Sequence, residues 1–343
     1  MCRKRTGLFA LILCIALTLP GCAARSGGKD SPALPQPQNT TAAQARASAS
    51  PGKAAADLVP ARLARNGEGV PVLKVYDVKN EKLEELSVEE YLPAVLAGEM
   101  AGDWPLEALK AQAILARTFV LKFVTEKDSR YPGADISTDI AEAQAYNAGA
   151  VNSRILKAVQ DTAGLILLTA DGQLPYTWFH AHSGGMTETA VYGLDWQGME
   201  PPYTRVTEGE DSAAAPNNVQ AWRAEFSAEE FIAACRRTGA DVSSCKTVRI
   251  DQKGKSGRAV TLLVDGTAVN AARLRIALGS TVMRSTLLTE LTVGDDSIRM
   301  AGRGYGHGVG MPQWGAYALA QRGMRGEEIA LHYYNGLHLA KLW

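Results

Sequence analysis

Gly98-Glu99-Met100, followed by Trp104-Pro105-Leu106-Glu107-Ala108-Leu109-Lys110, is the stretch on which the reading of this chain turns. Pro105 suits the first turn of a helix, where its missing N–H costs nothing, and Glu107 lies near the positive end of the dipole. Leu106, Leu109, Ala113, Ala116, Val120 and Phe123 then keep helical spacing, which predicts one long helix. Upstream, Ser87 with Glu90 makes a capping box for a shorter helix that Pro93 is expected to kink or divide. Glu99 falls just past that helix, an acid among Leu96, Met100 and Trp104. At about 100° per residue, Arg117 lies roughly 20° from Leu106, within or at the edge of the apolar stripe. A guanidinium there needs a carboxylate, backbone carbonyls or a polar ligand, so a structural ion pair and a substrate contact are both open. Lys110 reads as solvated.

Working outward, the second informative stretch is Gly302-Arg303-Gly304-Tyr305-Gly306-His307-Gly308-Val309-Gly310-Met311. In an extended conformation its side chains alternate with glycines, sending Arg303, Tyr305, His307, Val309 and Met311 to one side. The bare side then lets a backbone or a flat sugar ring approach. So many glycines in a strand are destabilising, and a site explains them better than packing does. Between the two stretches, Leu165 to Thr169, a turn at Asp171-Gly172 and Tyr176 to Ala181 predict a hairpin. Alternation puts Tyr176, Trp178, His180 and His182 on one face, and Ser183-Gly184-Gly185 forms a turn whose backbone can come close to a ligand. Order is expected from about Val70, where a strand begins. From Thr247 to Met300 the pattern is mostly strands, with turns at Lys253-Gly254 and Asp265-Gly266 and a short helix near Ala271 to Leu278. The expected class is α+β: a helical N-terminal part of the core that carries Glu99, and a β-rich remainder with a subdomain over 203–300.

The chain has 343 residues, 46% of them hydrophobic, which is enough for a sizeable core. Lys+Arg and Asp+Glu both number 36, so the overall balance lacks the basic footprint of a nucleic-acid binder. Arg3, Lys4 and Arg5 precede an apolar run, Leu8 to Leu19, that is short for a membrane span and fits a signal segment. Leu19-Pro20-Gly21-Cys22 resembles a bacterial lipobox, in which the cysteine is lipidated; ordinary secretion with a chance cysteine is the alternative. The expectation is a protein of the cell envelope, outside the cytoplasm and held to a bacterial membrane through Cys22. Residues 23–68 are rich in Ala, Ser, Pro, Gln and Gly and read as a flexible tether, with the folded domain over 69–343. Cys235 and Cys245 remain in the mature chain, and an oxidising compartment permits a bridge between them, with free thiols as the alternative.

A phosphate loop is excluded on spacing, because neither Gly-x-Gly-x-x-Gly nor Gly-Lys-Ser/Thr occurs in the glycine run. His180, His182 and His307 raise the question of zinc, but no His-Glu-x-x-His or Cys-x-x-Cys accompanies them, so neither metal nor cofactor is expected. Ser183 lacks the Gly-x-Ser-x-Gly setting of a hydrolase nucleophile. Burial among apolar groups favours the protonated form of a carboxyl, which is what a general acid needs, and glycosidic bonds are a natural target. No second carboxylate stands out beside Glu99, since Asp103 and Glu107 are merely near. One acid suffices when the sugar's own hydroxyl is the nucleophile.

Taken together, these motifs resemble the SpoIID/LytB family. The resemblance rests on Gly98-Glu99-Met100 with Trp104-Pro105 and the helix through Lys110, Ala116 and Arg117. It continues through Gln144-x-Tyr146, Phe179-His180-x-x-Ser183-Gly184-Gly185-x-Thr187-Glu188 and the glycine run extended to Gln313-Trp314-Gly315-Ala316. It implies a peptidoglycan lytic transglycosylase that acts on glycan strands with Glu99 as acid and base. Lys110 and Arg117 are implied site residues on the adjoining helix. Gln144, Tyr146, His180, Ser183, Gly184, Gly185, Arg303, Tyr305, His307 and Gln313 are expected to contact substrate. Zinc-binding members carry two cysteines six positions apart before the Gln-x-aromatic motif, whereas Ser137 and Ala143 stand there in this chain. The family also contains enhancers of wall amidases, which makes a wall-binding protein with an amidase partner the second reading.

Overall fold

The computed structural model describes residues 58–343. The signal segment, Cys22 and most of the tether lie outside the described residues. Residues 58–68, which composition assigns to the tether, pack onto the domain: Val59 and Leu63 are buried in the main core. Arg62 pairs with Asp135 and donates to the Val124 carbonyl at 2.6 Å. Two apolar anchors and a basic one suffice to dock a segment whose average composition is polar.

Val72–Asp77 (β1) and Lys82–Ser87 (β2) form an antiparallel hairpin that leads into the helix Val88–Glu99 (α1). The capping box is present: Ser87 Oγ accepts the Glu90 N–H at 3.3 Å while Glu90 Oε2 accepts the Ser87 N–H at 2.8 Å. Pro93 does not divide this helix, and Glu99 is its last residue rather than lying past it. Proline removes one helical hydrogen bond, but Val88, Tyr91, Leu92 and Ala94 to Ala97 are all buried, and tertiary packing outweighs that loss. Leu106–Glu126 (α2) follows, with Pro105 at its N-cap, one position earlier than expected. The helix is buried nearly all round from Ala108 to Leu121, where alanines at 108, 111, 113 and 116 admit close neighbours. It is the axis of the main core.

Ile136–Ser137 (β3) joins β1 in parallel, and Ser153–Asp161 (α3) packs beside α2. Leu165–Leu168 (β4) and Phe179–His180 (β5) do not form the expected hairpin. The turn exists, with the Thr169 N–H bonded to the Gln173 carbonyl at 3.0 Å and Gly172 left-handed, but the strands part after it. β4 pairs with His338–Lys341 near the end of the chain, and β5 pairs in parallel with Met311–Pro312. Local alternation specifies a strand and its turn; which distant strand fills the free edge is set by burial.

A second core is built from Ala221–Ser227 (β6), Ala228–Arg237 (α4), Val248–Lys253 (β7), Ala259–Val264 (β8), Thr267–Asn270 (β9), Ala271–Ala277 (α5), Leu288–Val293 (β10) and Ser297–Arg303 (β11). β7-β8-β9 is a meander, and β10-β11-β6 is a separate antiparallel sheet. The expected turn at Asp265-Gly266 is there, with both residues at positive φ (45° and 86°), as a tight hairpin requires. Cys235 and Cys245 both sit in this core as free thiols. Met311–Pro312 (β12), Gln313–Gln321 (α6), Gly326–His332 (α7) and His338–Lys341 (β13) then return the chain to the main core. The mixture of helices and small sheets is an α+β fold.

Candidate active site

Glu99 ends α1 with 5% of its surface exposed, and its Oε1 accepts the Ala145 N–H at 2.8 Å. Gly98 makes that contact possible. A Cβ there would lie 2.7 Å from both the Ala145 carbonyl carbon and the Tyr146 nitrogen, so any other residue pushes the loop away. The loop is stitched down again by the Asn147 N–H to the Ala94 carbonyl at 2.8 Å, and Tyr146 stacks on Tyr91 at 5.5 Å between ring centres. Gln144 is fully buried, with neither amide atom hydrogen-bonded among the described residues. The structure thus brings together Glu99, Gln144 and Tyr146, which the sequence only placed in separate motifs.

Arg117 is elsewhere. It is fully buried and grips Glu89 with two bonds, Nε to Oε1 at 2.9 Å and Nη2 to Oε2 at 2.8 Å, while Nη1 donates to the Leu165 carbonyl at 3.0 Å. Glu89 also accepts from the Gly164 N–H and from Trp343 Nε1, both at 3.0 Å. Glu89 and Glu99 are ten positions apart on α1, about 15 Å along the axis at 1.5 Å per residue. Arg117 therefore makes a structural ion pair, at the far end of α1 from Glu99. Lys110 is not simply solvated: it pairs with Glu107 at 2.9 Å and Asp161 at 3.1 Å and ties α2 to α3.

Between Arg303, where β11 ends, and Met311, the glycine run is not an extended strand. Gly304, Gly306, Gly308 and Gly310 have φ of 79°, 116°, 86° and 70°, so the backbone winds left-handed at every second residue. This winding lets it cross the 178–185 segment in close contact. A Cβ on Gly310 would stand 1.9 Å from the Trp178 carbonyl, and one on Gly308 would meet the Arg258 guanidinium at 2.4 Å. His182 and Tyr305 exchange backbone bonds at 3.0 and 2.8 Å. Tyr305 is buried under the Arg284 guanidinium, 5.0 Å from its ring centre, Gln313 is buried at the start of α6, and Arg303 is exposed at the end of β11.

The Ser183-Gly184-Gly185 turn wraps a carboxylate that sequence reasoning missed. Asp211 accepts the N–H of Ser183 at 2.9 Å and of Gly185 at 3.1 Å, and it also accepts from the Ser183 hydroxyl. Arg258, also missed, enters from the second core, almost fully buried, and donates to the carbonyls of Ser183 at 2.6 Å and Met186 at 2.8 Å. Burial lowers its pKa to about 10 against the raising effect of Glu188 and Asp211. Local sequence gave no signal for either, because each partner is contributed by a distant segment.

His180 and His307 share Val309. His180 Nδ1 faces the Val309 carbonyl at 3.1 Å, and His307 Nδ1 accepts the Val309 N–H at 3.0 Å, with ring centres 5.5 Å apart. These bonds assign the His180 proton to Nδ1 and the neutral His307 proton to Nε2. In this arrangement His307 has no free lone pair, whereas His180 keeps one on Nε2, and the described residues contain no cluster of three or more ligand-type side chains. Burial, then Arg275 and Arg258, lower the His307 pKa from its ordinary 6.5 to about 3; burial and the His307 ring push His180 well below its usual range.

This sets a pH dependence. Between about pH 6.5 and 3 the unfolded chain takes up a proton that folded His307 refuses, so stability is full above 6.5 and declines as the pH falls. Each such histidine contributes about 1.4 kcal/mol per pH unit of slope. Melting temperature is therefore expected to fall steeply from pH 7 to 4, and His307→Gln should flatten that slope. A slope unchanged in His307→Gln removes this explanation.

A sequence profile described as Stage II sporulation protein matches residues 76–168, the part that holds Glu99, Gln144 and Tyr146. A second, described as a domain of unknown function, matches residues 200–310. An uncharacterized protein of Brachyspira hyodysenteriae is 30% identical over 255 residues, covering 74% of this chain and 67% of that protein. Stage II sporulation protein D of Bacillus subtilis is 28% identical over 283 residues, 78% of this chain and 79% of its own. The amidase enhancer of Bacillus subtilis is 27% identical over 293 residues, 72% of this chain but 40% of the enhancer. The chain belongs to the SpoIID/LytB family. Among the described residues no helix is long and apolar enough to cross a membrane.

Proposed function

We propose that this protein works at the cell wall as a peptidoglycan lytic transglycosylase, with Glu99 as its single acid and base. The observation that carries the reading is the setting of Glu99: nearly buried, at a helix end, with one carboxyl oxygen fixed by a backbone N–H. In the proposed reaction Glu99 gives its proton to the oxygen leaving C1 of N-acetylmuramic acid as the C1–O bond breaks. It then takes the proton of the C6 hydroxyl, whose oxygen bonds to C1 and leaves a 1,6-anhydro end. The neighbouring carboxylates support single-acid chemistry: Asp103 is exposed, and Glu107 is occupied by Lys110 and the Gly326 N–H at 2.7 Å. Membership of the family supports a wall-related role.

Likeness to an amidase enhancer favours a second reading, a non-catalytic wall binder that stimulates an amidase. Incubating the full chain with glycan strands, with and without stem peptides, and identifying the ends by mass spectrometry separates the two. Anhydro ends support the enzyme; intact strands together with faster hydrolysis by an added wall amidase support the enhancer.

The proposed location is the outer face of a bacterial membrane, with Cys22 as lipid anchor and the 23–57 segment as tether. Cys22→Ser is expected to move the protein from the membrane to the soluble extracytoplasmic fraction on cell fractionation. Membrane association that survives the change counts against a lipid at Cys22.

A further inference from the structure

Trp104, Trp314 and Tyr317 meet although two hundred positions separate the first from the others. Ring centres lie 4.5 Å apart for Trp104 and Trp314, 5.2 Å for Trp104 and Tyr317, and 5.1 Å for Trp314 and Tyr317. Trp104 sits in the turn between Glu99 and α2, closed by its own N–H to the Ala101 carbonyl at 3.1 Å. Trp314 and Tyr317 are one turn apart on α6, directly after the glycine run. The cluster spans the seam between the segment that carries Glu99 and the segment that carries His307.

Its backbone is held rigidly. The Trp314 N–H donates to the Ala181 carbonyl at 3.0 Å, and the Trp314 carbonyl accepts the Ser212 N–H at 3.2 Å. Gly315, next to it, has space for no side chain: a Cβ would stand 2.1 Å from the Gly209 carbonyl oxygen and 2.4 Å from Tyr333 Oη. Tyr91, Phe179 and Tyr333 are fully buried. Trp104, Trp314 and Tyr317 are each part-buried.

We propose that these three rings are a stacking platform for a pyranose of the glycan strand, beside the bond that Glu99 addresses. The proposal rests on the glycan-cleaving reading of the site. A pyranose presents a flat face of C–H groups that covers an aromatic ring while its hydroxyls stay at the rim, which suits rings that are part-buried. A protein partner would need roughly 800 Å² of surface per side. Among the described residues, the strongly exposed large apolar side chains are Val78, Leu83, Leu156, Met186, Met199 and Val282, none of which belongs to the turn at Trp104 or to α6.

The test is binding of peptide-free glycan strands to the full chain carrying Glu99→Gln, so that nothing is cleaved, measured by calorimetry. Adding Trp314→Leu or Tyr317→Leu keeps apolar bulk and removes a flat face; affinity should fall about tenfold. Trp314→Phe, which restores a flat ring, should recover most of it, and melting curves run alongside check the fold. If the parent cleaves glycan while both leucine variants bind as tightly as their background, the platform is wrong and the role of Glu99 stands. If Trp314→Leu and Trp314→Phe lose affinity equally and both melt early, the rings are structural and the proposal is overturned. If neither the parent nor its Glu99→Gln form binds strands at all, the glycan reading itself falls.

Discussion

Glu99→Gln lowers glycan cleavage by a factor on the order of 10² or more while leaving strand binding and the fold largely intact; that is the expected result. The amide has the size and shape of the acid and can still accept the Ala145 N–H through its carbonyl oxygen, so the loop at 144–147 stays docked on α1. What it cannot do is deliver a proton and take one back. Glu107 is not free to substitute, because it is bound to Lys110 and to the start of α7. The loss should appear in kcat, with KM little changed, since the group acts on the bond being broken. Products of the parent should carry anhydro ends and not reducing ends. Equal cleavage by parent and Glu99→Gln removes Glu99 from the chemistry.

Arg117→Leu, by contrast, is expected to cost about 3 kcal/mol of stability, near the low end of what breaking a buried ion pair costs. Glu89 loses two charge-assisted bonds, yet it keeps the Gly164 N–H and the Trp343 indole, and 19% of its side chain is exposed, which limits the penalty. Urea unfolding of parent and variant measures the difference. Folded Arg117→Leu, assayed well below its melting temperature, should cleave glycan at nearly the parental rate, because the pair lies at the opposite end of α1 from Glu99. Joint replacement, Glu89→Gln with Arg117→Met, should recover part of the stability by leaving no unpaired charge. A stable Arg117→Leu that binds strands poorly would return this arginine to the substrate site.

The parts of the molecule legible in the sequence are those decided locally. The capping box at Ser87 and Glu90, the register of Leu106 to Phe123, the turns at Asp265-Gly266 and Ser183-Gly184-Gly185, and the strand-rich middle all follow from residues within a few positions of one another. Pairings across long separations were not legible. β4 reads as half of a hairpin because its tail turns at Gly172, but its edge is filled by residues 338–341. The glycine run reads as a strand because its side chains alternate; alternation is equally what a chain shows when every second residue must be left-handed. Within the site, Glu99, Gln144 and Tyr146 stood out as residue types. Asp211 and Arg258 did not, because an aspartate in a polar loop and an arginine just before a strand acquire meaning only from the carbonyls and N–H groups brought to them by other segments.

The late closure of the main core sets the order in which the two cores can be completed. β4 lacks its partner until residues 338–341 arrive, β5 until 311–312, and Glu89 one of its donors until Trp343. Contacts of such wide separation form slowly and only after most of the polypeptide is free. The edges of β4 and β5 and the Glu89 pocket are therefore filled last, after the stretch from 221 to 303 that builds the whole second core has already been made.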